Sequence, residues 1–232
     1  LITGLCHAHS AGLGQEAAGV VDSLGEGVTG FKPGDRVGYC TGPIGAYAEQ
    51  NVVRADRAVL LPNAISSDLA AASMLKGMTA RYLLRKTFRV EPGHWLLIHA
   101  AAGGVGQILV QWAKHLGANV IATVGGDEKA AIVRGLGADH VLTLDGGDFA
   151  PRVRAIVGEG VHVVYDGVGK DTWSGSLDSL RPLGMMVSYG NASGPPPPIS
   201  PLLLSQKGSL FLTRPTLGHY IASVEQLDEA AA

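Results

Sequence analysis

The chain has 232 residues, of which 46% are hydrophobic and 16% are charged, and its formal net charge is −2. A chain of this length forms one large domain, or one domain with part of a second. It has no basic excess, no evident signal peptide and no apolar run near the ~20 residues of a membrane span, so we expect a cytoplasmic protein with no nucleic-acid or membrane partner.

Only two cysteines are present, Cys6 and Cys40. Two thiols cannot build a disulfide framework or a four-cysteine zinc lobe, so we expect free thiols in a reducing cytosol. The first residue, Leu1, is not Met and stands in sequence that has the pattern of folded structure. We therefore expect the chain to be a fragment of a longer protein.

Residues 1–65 are rich in glycine and turn signals, and they contain short β-type runs. These runs are Val20–Val21, Arg36–Tyr39 and Ala46–Glu49, and a Pro-Gly turn lies within Phe31–Val37. The segment therefore indicates part of an antiparallel β region.

Residues 66–92 have a helical pattern with Ser67 or Asp68 as the expected N-cap, and they connect this region to an alternation of strands and helices. The predicted strands are Trp95–His99, Asn119–Val124, His140–Thr143, Val161–Asp166, Met185–Tyr189 and Ser209–Thr213. The predicted helices between them are Gly104–Leu116, Asp127–Leu136, Phe149–Val157, Thr172–Leu180 and Pro201–Gln206. This order predicts a doubly wound, parallel, six-stranded Rossmann sheet over residues 93–217, with residues 218–232 starting a further helix. The proline run 194–201 is expected to be a stiff loop, with a proline-motif ligand as the alternative.

The turn Ala101–Gly106 joins the first strand of this alternation to its first helix in an A-x-G-x-x-G form. In that context the pattern predicts a dinucleotide site, with a turn that merely packs as the alternative. Gly103 would let the backbone approach a pyrophosphate, and Gly106 would let the helix pack closely on the strand. Gly117 is expected to end the helix.

The end of the second strand selects the cofactor. NAD enzymes carry an acidic residue there, whereas this strand runs into Gly125 and Gly126. Asp127 is expected to cap the following helix, and Lys129 is able to face a 2′-phosphate as a point charge. The sequence therefore favours NADPH over NADH, and the alternative for Lys129 is an ordinary solvated helix lysine.

Eight segments match one enzyme family in order along the chain. They are "GLGQEAAGVVDSLGEGV", "FKPGDRV", "GAYAE", "AAASMLKGMTARYLL", "HAAAGGVGQILVQWAK", "VVYDGVGKDTW", "MMVSYGNASG" and "QKGSLFLTRPTL". Over nearly its whole length the sequence resembles the zinc-independent quinone oxidoreductases of the medium-chain dehydrogenase/reductase superfamily. The resemblance implies a GroES-like β-rich catalytic domain over residues 1–65, incomplete here, since such enzymes have about 45–50 further residues at each end.

The resemblance also implies a set of cofactor-binding residues. Those at the nicotinamide end and its ribose are Thr79, Tyr82, Asn191, Ala192 and Ser193, and those of the pyrophosphate turn are Gly103, Gly104, Val105 and Gly106. Those of the adenosine-phosphate pocket are Thr123, Gly125, Gly126 and Lys129, and a further contact is Arg214 with Pro215. The alternative for Thr79 and Tyr82 is helix packing, and for residues 191–193 it is a simple turn.

At two positions the sequence differs from related dehydrogenases and reductases. Gln15 stands where zinc alcohol dehydrogenases have a zinc-binding histidine, and an amide is a poor zinc ligand, so no metal site is expected. Leu144 replaces a tyrosine that many NADPH-dependent relatives have near the 2′-phosphate, and Asp145 adds a negative charge beside it. His7 and His9 are not expected to bind metal, and His99 and His140 are expected to pack at strand ends.

Three functions follow from these features. The first is NADPH-dependent reduction of a quinone or an activated alkene by direct hydride transfer, with no metal and no catalytic acid or base. The second is a non-catalytic NADPH-binding protein, and the third is a zinc alcohol dehydrogenase, against which Gln15 argues. The apolar strand Ser209–Thr213 is expected at the sheet edge, where it would pair two copies into a homodimer.

Overall fold

The structure is a computed structural model that describes residues 12–42 and 44–232, and the backbone of Ile2–Thr3. It divides into two compact units, Leu1–Thr79 with Leu217–Ala232, and Ala80–Thr216. The predicted limits of 1–65, 66–92, 93–217 and 218–232 place the domain boundaries elsewhere, and the assignment of functional domains stays a prediction. Among the helices described, none has the length and apolarity needed to cross a membrane.

The first unit is β-rich, as its turn-rich composition predicts. Its strands are β1 (Ile2–Thr3), β2 (Glu16–Val20), β3 (Ser23–Leu24), β4 (Arg36–Cys40) and β5 (Ala58–Leu60). Strands β2, β4 and β5 form an antiparallel sheet, and β1 pairs with β3. The helices of this unit are α1 (Ser67–Tyr82, which continues into the second unit), α7 (Leu217–Tyr220) and α8 (Val224–Ala231).

Two local expectations in this unit are wrong. Residues Ala46–Glu49 form no strand, because the amides of Ala46 and Tyr47 bond to the irregular segment at Leu13 and Gly14. The N-cap of α1 is Ser66, whose Oγ accepts from the Leu69 amide at 3.1 Å, and not Ser67 or Asp68. The Pro-Gly turn is present, closed by a bond from the amide of Asp35 to the carbonyl of Lys32.

The second unit contains the predicted six-stranded parallel sheet. Its strands are β6 (Trp95–Ile98), β7 (Asn119–Val124), β8 (His140–Thr143), β9 (Val161–Asp166), β10 (Leu180–Ser188) and β11 (Phe211–Thr213). The spatial order is β11-β10-β9-β6-β7-β8, so the chain direction across the sheet reverses between β6 and β9. This doubly wound order confirms the predicted Rossmann fold, and ligands of such sheets bind outside the carboxyl ends of the strands at that reversal.

The strands of this sheet alternate with helices along the chain. These helices are α2 (Gly104–His115), α3 (Asp127–Gly135), α4 (Ala150–Val157), α5 (Trp173–Ser179) and α6 (Pro201–Gln206), and each lies within one residue of its predicted bounds. Aliphatic side chains of β6, β7 and β9 are fully buried, which the uninterrupted apolar runs of these strands predict. Gly117 follows α2 with a φ of 77°, a conformation that favours glycine and ends the helix as expected.

The last two strands differ most from expectation. Strand β10 starts at Leu180, five residues before the predicted Met185, because Leu180 already pairs with Val161 ahead of an irregularity in the ladder. Strand β11 starts at Phe211, since Ser209 adopts a φ of 56° and turns the chain before the strand begins. The proline run has no regular structure and links β10 to α6, as predicted.

Candidate functional site

The turn after β6 presents the start of α2 to solvent. Ala100 adopts a left-handed φ of 48°, and the amide of Gly103 closes the turn on the carbonyl of Ala100 at 2.8 Å. Gly103 is the N-cap of α2, has no side chain to cap the helix, and is exposed together with Gly104. The first-turn amides therefore meet solvent at the positive end of the helix dipole, which is an anion-binding arrangement.

Gly106 packs α2 against the strand, as the motif predicts. A Cβ at this position would lie 2.5 Å from the carbonyl oxygen of Ala100 and 2.7 Å from the Cα of Ala101. Ala101 occupies the first motif position with its methyl group fully buried, and its amide donates to the carbonyl of Thr123 at 3.0 Å. Alanine therefore fits where many dinucleotide sites have glycine. Val105 is half-buried in the first turn of the helix.

The end of β7 brings Gly125, Gly126 and Lys129 together at the carboxyl edge of the sheet. Gly125 and Lys129 are exposed, and Gly126 is the N-cap of α3. The expected capping by Asp127 is wrong, because Asp127 is the first helical residue and no side chain caps α3. The carboxylate of Asp127 interacts favourably with the positive end of the helix dipole. No acidic residue ends β7, and Lys129 forms no ion pair with any residue that the structure describes.

The placement of Thr123 corrects the predicted pocket. Its side chain is 1% exposed, and its hydroxyl lies 2.8 Å from Nδ1 of His99 in the interior. A buried hydroxyl that is already bonded cannot also bind a solvent-facing phosphate. Thr123 therefore supports the pocket from beneath instead of lining it.

The negative charge of Asp145, next to Leu144 at the end of β8, is partly compensated. The amide of Gly147 donates to Asp145 Oδ1 at 3.1 Å and lowers the pKa of this carboxyl, and Arg152 lowers it further. Arg152 itself donates to the carbonyl of Thr143 at 2.9 Å. Leu144 is half-buried against the core. The carboxylate thus has local partners, which weakens its repulsion of a nearby anion.

The loop after β10 is built against the loop after β9. The amide and hydroxyl of Ser193 both donate to the carbonyl of Val168, at 2.8 and 2.9 Å, and the amide of Ala192 donates to the carbonyl of Gly167. Asn191 and Ala192 are exposed. The predicted residues 191–193 thus form a tethered loop at the same carboxyl edge as the glycine turn.

Asp166, the last residue of β9, holds these loops and was not predicted as a site residue. Its carboxylate is fully buried. One oxygen accepts from the amides of Val168 and Gly169 at 2.8 and 2.9 Å, and the other accepts from the hydroxyls of Thr172 and Ser176 at 2.7 and 2.8 Å. The signal in the sequence is an aspartate at a strand end followed by Gly-x-Gly, a typical side-chain cap of a turn.

His99 lies fully buried between β6, β7 and α5. Its ring contacts the oxygens of Thr123 and Ser176 at 2.8 and 2.9 Å and meets Phe149 edge-on. Burial lowers the pKa of His99 from 6.5 to about 4, although the charge of Asp166 opposes that shift. The imidazole is therefore neutral at physiological pH. His140 packs on Trp95 at the start of β8, so both histidines pack at strand ends as expected.

The buried histidine makes stability depend on pH. Because the pKa of His99 is about 4 in the folded chain and 6.5 as an ordinary value, the unfolded chain binds more protons between these values. We expect the free energy of unfolding to fall as the pH is lowered from 6.5 to 4, by up to about 3 kcal/mol from His99. Urea titrations at pH 7 and 4.5 on the wild type and His99→Gln measure this. The variant should lose less stability on acidification, and an equal loss in both proteins would contradict the assignment.

The remaining predicted residues lie at the ends of other elements. Thr79 is half-buried in α1 and donates to the carbonyl of Leu75 at 2.7 Å, and Tyr82 is buried at the end of this helix. The alternative of helix packing fits both side chains. Arg214 is exposed after β11 and donates to the carbonyl of the buried Pro215 at 3.2 Å.

Gln15, which stands where zinc alcohol dehydrogenases have a zinc-binding histidine, is exposed. The neighbouring Glu16 pairs with Lys76 and accepts from the amide of Leu75 at 2.8 Å, so its carboxylate is engaged. Among the residues that the structure describes, no group of three or more His, Cys, Asp or Glu side chains could hold a metal ion. Cys6, His7 and His9 lie outside the described residues. At this position, Gln15 offers zinc an amide and not an imidazole, and the carboxylate of Glu16 is paired.

Comparison with known proteins assigns both units to one superfamily. The profile described as "Zinc-binding dehydrogenase" matches residues 104–230, and that described as "Alcohol dehydrogenase GroES-like domain" matches residues 4–63. The second match confirms the predicted GroES-like region.

Individual relatives give the same result. The chain is 53% identical over 222 residues to a quinone oxidoreductase of Salmonella typhimurium, covering 95% of this chain and 68% of that protein. It is 49% identical over 223 residues to a 2-haloacrylate reductase of a Burkholderia species, covering 94% and 67%. The crystal structure of Escherichia coli quinone oxidoreductase complexed with NADPH superposes with a TM-score of 0.92 at 49% identity, covering 97% of this chain and 70% of that one.

Proposed function

The chain belongs to the quinone oxidoreductases of the medium-chain dehydrogenase/reductase superfamily, and we propose that it catalyses the NADPH-dependent reduction of a quinone or a related activated alkene. The observation that carries the cofactor assignment is the arrangement of residues at the carboxyl edge of the sheet. There, an uncapped helix start faces solvent. The neighbouring strand β7 ends without an acid, and Lys129 has no ion-pair partner among the residues that the structure describes. The relatives named as quinone oxidoreductase and 2-haloacrylate reductase support the substrate classes.

NADPH, when bound, supplies the hydride that reduces the acceptor. The residues of this chain bind and orient it. The amides of Gly104 and Val105 would hold the pyrophosphate, Lys129 would face the 2′-phosphate, and the tethered loop 191–193 would position the ribose next to the nicotinamide. Arg214 with Pro215, and Thr79 with Tyr82, remain proposed contacts. No side chain is assigned as catalytic acid or base. A quinone or enone accepts hydride without Lewis-acid help, and the proton that completes the reduced product would come from water.

We propose that the reaction is zinc-independent. Gln15 stands where zinc alcohol dehydrogenases have a histidine ligand, and the carboxylate of Glu16 is already paired with Lys76. Quinone reduction that persists after dialysis against a chelator is the expected result. Alcohol oxidation that appears only after zinc is added, without reduction of any quinone or enone, would instead identify a zinc alcohol dehydrogenase.

The competing proposal is a protein that binds NADPH without turnover. Titration with NADPH, followed by cofactor fluorescence, and a quinone-reduction assay on the same preparation separate the two functions. Binding with turnover supports the reductase, and binding without turnover supports the second proposal. We expect NADPH to serve as a better donor than NADH.

Substitution of Lys129 tests the cofactor preference. Lys129→Ala should raise the KM for NADPH about tenfold, because one cation facing the 2′-phosphate is lost, and should leave the KM for NADH unchanged. Lys32→Ala, which removes an exposed lysine of the first unit, is the matched control and should change neither constant. Equal effects of Lys129→Ala on both cofactors would argue against a 2′-phosphate contact.

We also propose a homodimer through the edge strand β11. Phe211 and Leu212 are 55% and 37% exposed, and among the described strands β11 pairs with β10 alone, so it is the apolar edge strand of the described sheet. Sedimentation at micromolar concentration should show a dimer that Phe211→Glu converts to monomer. Ile132→Glu, which charges an exposed apolar position on α3, is the control and should remain dimeric. A wild-type monomer would contradict the proposal.

The cytoplasm is the compartment that we propose. Cys40 is a free thiol, and burial raises its pKa to about 11, so it is poorly reactive. Two cysteines without a disulfide framework fit a reducing compartment.

A further inference from the structure

We propose that a buried chain of hydrogen bonds, Thr123–His99–Ser176–Asp166, is a positioning device that fixes the pyrophosphate turn relative to the loop 189–194 beside the nicotinamide ribose. The proposal rests on the proposed function, because both ends of this chain of hydrogen bonds support parts of the cofactor site. The four side chains come from β7, the residue after β6, α5 and β9, and none is more than 1% exposed. They therefore span the point at which the order of the sheet reverses.

The direction of each hydrogen bond follows from chemistry. The hydroxyl of Ser176 donates to Asp166 Oδ2, so its oxygen has only lone pairs left for His99. Nε2 of His99 must therefore carry the proton and donate to Ser176 Oγ at 2.9 Å. Because the ring is neutral, Nδ1 is an acceptor, and the hydroxyl of Thr123 donates to it. Every proton in the chain has one acceptor, which fixes the four side-chain rotamers.

One end of the chain holds the pyrophosphate turn. The backbone carbonyl of Thr123 accepts a hydrogen bond from the amide of Ala101 at 3.0 Å. His99 directly precedes Ala100, the residue with a left-handed φ. The carbonyl of Ala100 closes the turn on Gly103. A shift of the imidazole therefore moves the backbone that presents the start of α2.

The other end of the hydrogen-bond chain holds the loop 189–194. The carbonyl of Asp166 accepts from the amide of Tyr189 at 2.8 Å, and its carboxylate holds the amides of Val168 and Gly169. Val168 in turn binds Ser193 through its carbonyl. Two segments far apart in sequence are thus joined by buried polar groups that have one satisfied arrangement.

Two serines of α5 provide a matched test. Ser176 and Ser179 are both fully buried, but the hydroxyl of Ser179 donates to the carbonyl of Gly175 in its own helix and takes no part in the chain. Ser176→Ala should raise the Kd for NADPH about tenfold and lower kcat, whereas Ser179→Ala should change each by less than twofold. Urea unfolding of both variants verifies that they are folded at the assay temperature.

A ligand that reaches only the adenosine side separates positioning from general loosening. Adenosine 2′-monophosphate has neither the pyrophosphate nor the nicotinamide half, so Ser176→Ala should change its Kd by less than twofold. As a milder break at the other end, Thr123→Val should reproduce the loss of NADPH affinity, and Thr123→Ser, which keeps the hydroxyl, should restore it.

The outcomes are distinguishable. Equal Kd values for NADPH in Ser176→Ala and Ser179→Ala overturn the positioning role, as does an equal loss of affinity for NADPH and for adenosine 2′-monophosphate. A wild-type chain that fails to bind NADPH overturns the proposed function itself, and with it this proposal.

Discussion

Replacing Asp166 with alanine is expected to lower the free energy of unfolding by about 3–5 kcal/mol, because it strands buried donors. The carboxylate accepts four hydrogen bonds and has no exposed surface, so its donors are shielded from bulk water. Urea unfolding monitored by circular dichroism measures the change. We expect reduction of quinone to be lost together with stability, because the loops after β9 and β10 depend on this side chain.

The control is a carboxylate of α5 that faces solvent. Asp178 pairs with Lys207 at the surface, and Asp178→Asn should cost less than about 1 kcal/mol, since exposed ion pairs contribute little. A similar loss in Asp166→Ala and Asp178→Asn would show that the buried carboxylate is not the anchor of the loops.

Most of the second unit could be predicted from sequence because its signals are local. The strands at Asn119–Val124, His140–Thr143 and Val161–Asp166 have the bounds predicted, since each is a short apolar run between turn residues. The glycine turn could also be predicted from the sequence, because the close approach of neighbouring backbone requires glycine at positions 103 and 106. Helix periodicity identified α2 and α3 for the same reason.

The parts that escaped prediction depend on contacts between distant residues. The strand expected at Ala46–Glu49 fails because its amides bond to Leu13 and Gly14, a partner that no local pattern reveals. The family resemblance implies that Thr123 belongs to a pocket, yet the alternation of side chains along β7 turns it toward His99. The Asp-Gly-x-Gly turn after β9 is a local signal for Asp166, but its bonds to the hydroxyls of Thr172 and Ser176 are known only once α5 is in place.

The electrostatics of the site refine the cofactor assignment beyond what sequence allowed. Asp145 alone argues against a 2′-phosphate, but its charge is engaged by the amide of Gly147 and by Arg152. Lys129 has no such partner among the described residues, so its charge is available. The balance near the end of β7 therefore favours a phosphorylated ribose.

Replacing Gly106 with alanine is expected to raise the Kd for NADPH on the order of 100-fold, since displacing a binding group by about 1 Å has effects of that size. The added Cβ would stand 2.5 Å from the carbonyl oxygen of Ala100 and 2.7 Å from Ala101 Cα, both backbone atoms that cannot rotate away. The start of α2 must therefore move off the strand, at a cost in unfolding free energy of about 1–3 kcal/mol. Gly135→Ala is the control: it meets no atom within 4 Å and should stabilise α3 by up to about 1 kcal/mol. Unchanged NADPH affinity in a folded Gly106→Ala protein would show that the helix start does not bind the pyrophosphate.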